Sequence, residues 1–365
     1  MNQTMDTKGI DGLRGIAALS IAVFTHYFLF IPERNYPFYN QLTHWFWNYA
    51  SYFVDLFFVI SGFIMVFVYR NKIKNGQIGF VPFVKKRLIR FYPLMVFALF
   101  VVLILQLIHL RMTGVFFAYK DIYDNSVLSF VLNLLCLQGT TLVASSFNAP
   151  SWYLSIVLIM YILFYIVTYG AGRHNMENAA YMGMLLLGIV IAVKNYETVL
   201  LNCRGLVGFF AGCLTCTVCE QVNKLENRKR QIVTGIVFVI FAAVAVTGIM
   251  FGHKVFAPDP QVVLVYEMVL WPCLVFLAVN AGVFRAFLKN PVCLFLGKIS
   301  FSMYLIHFPV MVLLENMSLI FSWNLNYASK KVCLLYVALM MVLSVCCYYF
   351  VEQKLAKRLK GADHA

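Results

Sequence analysis

Ten apolar runs, each close to the length that crosses a lipid bilayer, follow one another along this chain of 365 residues. They lie at about 12–31, 46–69, 91–110, 152–170, 178–194, 203–221, 231–251, 262–284, 292–316 and 331–350. A helix needs about 20 apolar residues to span the hydrocarbon core. The chain is 62% hydrophobic and 12% charged, whereas soluble domains hold about 45–50% apolar and about 25% charged residues. The sequence therefore predicts an all-α, polytopic membrane helix bundle. One membrane domain is expected over 1–352, with a short basic tail at 353–365. "MNQTMDTKGIDGLRG" lacks a cleavage pattern of small residues, so the first run is expected to remain as a helix.

An eleventh run, "SVLSFVLNLLCLQGTTLVA" from Ser126, is shorter and carries Asn133 and Gln138. If it dips in and returns, ten helices leave both termini on one side. That side then collects "RNKIKNGQIGFVPFVKKRLIR" (70–90), "KLENRKR" (224–230), "RAFLK" (285–289) and "KLAKRLK" (354–360). If it spans, the later basic loops move outside, against the positive-inside rule. The expectation is ten spans, both ends cytoplasmic, and a re-entrant or interfacial segment at 126–143. No internal repeat is evident, which weakens an inverted-repeat transporter reading. The net charge of +14 follows from basic loops facing anionic lipid and calls for no nucleic acid. The ten cysteines fall mostly within apolar runs, so no extracellular disulfide framework is expected. Cys213, Cys216 and Cys219 have metal-like spacing, but they sit in a span without a nearby histidine and are read as small packing residues.

Ionisable side chains inside spans are costly and point to function by default. Here they are His26, Asp55, Glu267, Lys298, His307 and Glu315. Some also have a structural reading. His307 precedes Pro309 and can satisfy a backbone carbonyl that the proline frees. Glu267 and Glu315 can partner buried cations or lie near an interface, and Asp55 can be solvated at the outer interface. His26 suits a general base: neutral imidazole accepts a proton near neutral pH, as acyl transfer to a hydroxyl requires. Arg14, on the same segment, keeps its charge and suits phosphate or carboxylate.

"IDGLRGIAALSIAVFTHY" resembles the opening helix of the membrane-bound acyltransferase 3 family, and the likeness continues in order. "VDLFFVISGFIM" resembles its second helix, and "FVKKRLIRFYP" its basic Arg-x-x-Arg loop, through Arg87 and Arg90. "NAPSWYLSIVLIMYILFY" is similar to its tryptophan-centred segment, with Trp152 and Ser155. "CRGLVGFFAGC", "LGKISFSMYLIHFPV" and "YYFVEQ" are similar to later helices. The resemblance implies an O-acyltransferase of a bacterial cytoplasmic membrane. It would use cytoplasmic acyl-CoA, acetyl-CoA by family frequency, and modify a carbohydrate-type hydroxyl in or beyond the membrane. No metal is implied. His26 and Arg14 would be catalytic, Lys86, Arg87, Arg90 and Tyr92 would hold the donor, and backbone amides or a hydroxyl of Ser155, Ser300 or Tyr304 would supply oxyanion support. Asp55, Trp152, His307 and Glu352 complete the expected supporting set. Direct transfer and an acyl-histidine relay fit the sequence equally. Rival readings are a transporter of a lipid-linked sugar or small anion, and a non-catalytic CoA-binding relative.

Two departures from the family pattern stand out. Its first-helix arginine and histidine enclose ten residues, whereas Arg14 and His26 enclose eleven. In an ideal helix, twelve steps turn the pair about 120° apart, onto different faces. One extra residue is what a π-bulge absorbs, so a bulge or wide turn is predicted between Ala17 and Thr25. Many members also carry a glutamate five residues after the tryptophan, where this chain has Val157. Asp55, Glu267 and Glu352 are the candidate replacements. Trp45, Trp47, Phe147 and Trp323, in the outer loops, can stack on sugar rings or anchor at the interface.

Overall fold

The computed structural model describes residues 5–31, 35–41, 43–117, 125–140, 147–194, 196–255 and 260–355. The described residues are helical or irregular, with no strand among them. α1 (Lys8–Ser20) runs directly into a π-helical turn, Ile21–Thr25, and a 3₁₀ turn at Tyr27–Phe30. The wide turn predicted between Ala17 and Thr25 is therefore present. The helix stops at Thr25 rather than reaching 31, and His26 is the residue that ends it.

α2 (His44–Tyr49) leads through a 3₁₀ turn into α3 (Phe53–Lys74), and α4 follows at Phe80–Thr113. α5 is Val127–Leu134, and α6, α7 and α8 are Trp152–Gly172, Glu177–Lys194 and Tyr196–Val222. α9 is Asn227–Val255 and α10 Pro260–Val265, with a π turn at Tyr266–Leu270 before α11 (Trp271–Asn280). α12 (Gly282–Leu288), α13 (Pro291–Ile320) and α14 (Lys330–Cys347) complete the set, with a last π turn at Tyr348–Glu352.

Nine helical stretches among the described residues are long and apolar enough to cross a membrane. They match nine of the ten predicted spans. The first run is missing from the nine because its helix is short and carries Lys8, Asp11 and Arg14 in its first half. The segment after Ser126 forms only the eight-residue α5, about 12 Å at helical rise, so it does not cross. α5 ends with Cys136 in the left-handed region (φ 58°), and the Leu137 amide reaches back to Leu132 O at 2.8 Å. That is a Schellman-type stop with cysteine where glycine is usual. The basic tail expected at 353–365 lies outside the described residues from 356 onward.

The chain divides into two compact units. One comprises 1–17, 52–84 and 156–298. Its centre is the crossing of α3 and α8, where small residues let backbones touch, as in membrane helix pairs generally. A Cβ on Gly62 would lie 1.8 Å from Phe209 O, and one on Gly212 would lie 1.9 Å from Val59 O. Any larger residue at either position would drive the helices apart. Cys213, Cys216 and Cys219 are fully buried on α8 and pack as predicted; Cys213 Sγ lies 3.6 Å from Gly62 O. The second unit comprises 18–51, 85–155 and 299–365. Its core is aromatic: Tyr36 stacks on Trp47 at 4.6 Å, and Phe30 stacks on Tyr327 at 4.1 Å.

Candidate active site

The π turn fixes where His26 stands. Widening a turn leaves carbonyls without their usual helical donors, and a buried carbonyl must then find another. Tyr336, fully buried on α14, supplies it: its hydroxyl donates to Ala22 O at 2.6 Å. The half-buried His26 caps this turn and faces His307 of α13, with Nδ1 3.0 Å from His307 Nε2. The ring centroids are 5.1 Å apart and tilted by 33°.

The tautomers follow from the hydrogen-bond pattern. His307 Nδ1 lies 2.7 Å from Tyr304 O, and a carbonyl only accepts, so that nitrogen carries the proton. In a neutral ring Nε2 is then an acceptor, and His26 Nδ1 donates to it. His26 Nε2 is left with its lone pair outward. A histidine, rather than the usual carboxylate, orients the second imidazole.

His307 does not serve the carbonyl freed by Pro309, as one sequence reading had it. Pro309 lacks the amide that would bond Leu305 O, and Asn148 Nδ2 takes that place at 3.0 Å. Sequence reasoning missed Asn148, although Pro309 four residues after Leu305 signals that some donor is needed. The same region ties the re-entrant segment down. Ser155 Oγ accepts from the Gly139 amide at 2.7 Å and donates to Trp152 O at 2.8 Å. Gln138 Nε2 donates to Ser151 O at 2.9 Å, and Tyr304 Oη donates to Pro150 O at 2.6 Å. The hydroxyl protons of Ser155 and Tyr304 are thus spent on backbone carbonyls, which leaves neither as a ready oxyanion donor. Ser300 is buried.

The Arg-x-x-Arg element is helical, not the loop expected. α4 begins at Phe80 because Pro82, in its first turn, has no amide there to satisfy. At 34 residues α4 is about 50 Å long, so its basic first turns extend beyond a hydrocarbon core of about 30 Å. Arg87 is buried, while Lys86 and Arg90 are exposed. Tyr92 is tied structurally, donating to Leu134 O at 2.8 Å. Glu352, in the last π turn, accepts from Ser302 at 2.7 Å, and Glu315 accepts from Tyr327.

Arg14, Asp55, Val157, Glu267 and Lys298 lie in the first unit. Arg14 has Asp11 at 3.8 Å, and Lys298 is exposed. Val157 is fully buried, as an apolar helix residue should be. Asp55 is not solvated at an interface: it is fully buried and accepts from Arg204 Nε at 2.7 Å and Nη2 at 3.1 Å. Arg204, quoted within "CRGLVGFFAGC", was not counted among the intramembrane charges. Glu267 is fully buried too, on the π turn before α11. Of the outer aromatics, Trp45, Trp47 and Phe147 are buried packing residues, and Trp323 is 46% exposed, stacked on Phe321.

A family model described as an acyltransferase domain, that of the acyltransferase 3 family, matches residues 7–352. Over 90 residues, 25% of the chain, the sequence is 39% identical to "Protein 2 in picA locus" of Rhizobium radiobacter. That stretch covers 40% of the relative's own length. No solved structure matches the chain. With the match running from the start of α1 to the last π turn, across both units and all nine candidate spans, the chain belongs to the acyltransferase 3 family.

Proposed function

We propose that the protein is an integral membrane O-acyltransferase that moves an acetyl group from cytoplasmic acetyl-CoA to a hydroxyl of a carbohydrate-type acceptor presented in or beyond the membrane. The observation that carries this reading is the hydrogen-bonded series Tyr304 O, His307, His26, which leaves His26 Nε2 as a base. The basic first turns of α4, with Lys86, Arg87 and Arg90, suit the phosphates of CoA through charge-assisted bonds.

In this reaction His26 Nε2 takes the acceptor's hydroxyl proton as the oxygen attacks the thioester carbonyl. The C–O bond forms, the C–S bond breaks, and the proton on Nε2 passes to the CoA thiolate. During the step His26 is positive, and its Nδ1–H bond to His307 strengthens as charge develops. The acceptor, the acetyl group and the cell membrane of a bacterium come from the family resemblance. Backbone amides and Ser300 are left as the candidate oxyanion donors, since two of the three expected hydroxyls are engaged.

The test is transfer of labelled acetyl from acetyl-CoA in membranes containing the protein, beside His26→Ala. Label in a membrane or glycan fraction with the intact protein alone supports the reading. Equal labelling with both removes His26 from the chemistry, and acceptor movement without acetyl-CoA consumption replaces the enzyme with a transporter.

A further inference from the structure

A cavity of about 140 Å³ opens within the first unit, and the acyltransfer chemistry uses none of its residues. It is lined by Asp6, by Asn223 just after α8, by Arg230 in the first turn of α9, by Asn280 at the end of α11, and by Arg285 of α12. Two of the basic segments that the positive-inside rule gathers on one side, 224–230 and 285–289, meet here.

The two arginines are available to a ligand. Arg230 Nη2 donates to Asn227 Oδ1 at 3.1 Å, and Arg285 Nη1 to Val279 O at 3.2 Å. Neither is ion-paired with a carboxylate among the described residues. Asp6, the one carboxylate in the lining, is already neutralised by Lys289 at 2.8 Å. The cavity thus carries two uncompensated positive charges on forked donors, which suit phosphate.

Asn280, also in the lining, has a different need. Asn280 Nδ2 donates to Phe276 O at 3.1 Å and Cys219 Sγ at 3.2 Å, while its Oδ1 is buried with no hydrogen-bond partner. A buried acceptor of this kind calls for a donor, and an anion alone provides none. The space, about 140 Å³, is enough for a phosphate and a short arm.

We infer that this cavity binds a phosphate ester bearing a free hydroxyl, of glycerophosphate type. The phosphate sits between Arg230 and Arg285, and the hydroxyl donates to Asn280 Oδ1. The same chemistry is offered by the headgroup of phosphatidylglycerol and by soluble glycerol phosphate.

The test is thermal unfolding of the full chain in neutral detergent. It is run with glycerol 3-phosphate, with phosphatidylglycerol in mixed micelles, and with phosphatidylcholine as the control. Ligand binding to the folded state raises the midpoint in proportion to the logarithm of concentration above Kd. A rise with both phosphate esters supports a site open to soluble ligand, and a rise with phosphatidylglycerol alone supports a lipid site. In either case Arg230→Gln and Arg285→Gln should each weaken the apparent affinity about tenfold or more. Inorganic phosphate should bind more weakly than glycerol 3-phosphate in the wild type and equally in Asn280→Leu. No rise beyond the phosphatidylcholine control, or an equal rise in wild type and both arginine variants, overturns the inference. Arg230→Gln alone, in an open helix turn, serves if the Arg285 variant does not fold.

Discussion

Replacing His307 by phenylalanine removes the acceptor for His26 Nδ1 while keeping a flat ring of similar size. The bond lost is 3.0 Å long. An intramolecular hydrogen bond is worth about 0.5–1.5 kcal/mol net, and a buried donor left unpaired costs about 1–3 kcal/mol. His26 escapes that cost by moving its proton to Nε2, which turns the lone pair toward the phenyl ring and removes the base from the reacting side. Either way the loss falls on the transition state, where the Nδ1–H bond is strongest. A penalty of about 1.4–2.7 kcal/mol lowers kcat about ten- to a hundredfold. The ceiling is the whole contribution of a positioned base, about 10²–10⁴, which His26→Ala reports. KM for acetyl-CoA stays unchanged, because no residue of α4 is touched. His307→Gln supplies an amide oxygen at a similar reach and recovers most of kcat. Initial rates of labelled acetyl transfer, normalised to protein in the membrane, give both constants. A phenylalanine variant with wild-type kcat, or a glutamine variant as slow as phenylalanine, refutes the tautomer argument.

Three further outcomes follow from the packing. Tyr336→Phe strands the buried Ala22 carbonyl and should lower stability by about 1–3 kcal/mol, seen as a lower unfolding midpoint in detergent; an unchanged midpoint means the π turn does not depend on that bond. Arg204→Met leaves Asp55 buried and uncompensated, at a cost of about 3–5 kcal/mol, and adding Asp55→Leu should restore most of the loss. Should the double variant unfold as early as the single one, the pair does more than neutralise itself. The hydrogen bond from Lys289 holds the Asp6 carboxyl below its ordinary range. Its stabilisation is therefore present above the unfolded carboxylate's pKa and fades as pH falls through the lowered folded value. Both side chains are about a third exposed, so the effect is small, and Asp6→Asn should flatten the acid limb of a stability–pH curve by lowering the neutral plateau slightly while leaving the acid end unmoved.

Most of the fold was legible because lipid leaves a chain few choices. Nine spans coincide with apolar runs that predict them, although α4 starts eleven residues before its run, and the Ser126 segment is too short to cross. Helix ends were harder. The sequence places the first span's end at 31, but the helix breaks at His26, where a wide turn exhausts its regular bonding. Arg87 and Arg90 read as a loop because charge stops an apolar run, yet charge does not stop a helix that continues into water. The two histidines were visible as groups too costly to bury without purpose, whereas their hydrogen bond was not, since it joins residues 281 positions apart. Asn148 and Arg204 went unnoticed for one reason: each lay inside a motif quoted for its family likeness, "NAPSWYLSIVLIMYILFY" and "CRGLVGFFAGC". Three π turns occur among the described residues. Each holds or borders an ionisable residue that the sequence had already singled out, namely His26, Glu267 and Glu352.

The turn at Ile21–Thr25 also bears on how such chains are aligned. A fixed gap between the first arginine and histidine passes over this chain, and an alignment that enforces it shifts one of the two by a position. The backbone confines its wide turn to one five-residue window, so a gap set between 21 and 25 falls where the regular helical bonding is already interrupted. Membrane helices are often treated as segments whose length is frozen once their motifs are set. Here a single codon's worth of length has been taken up within one turn, with the cost met by a tyrosine 314 residues away. Relatives that carry ten residues in that interval should show no selection for a hydroxyl at the position of Tyr336, which makes the length of one helix and the identity of one distant side chain a coupled pair.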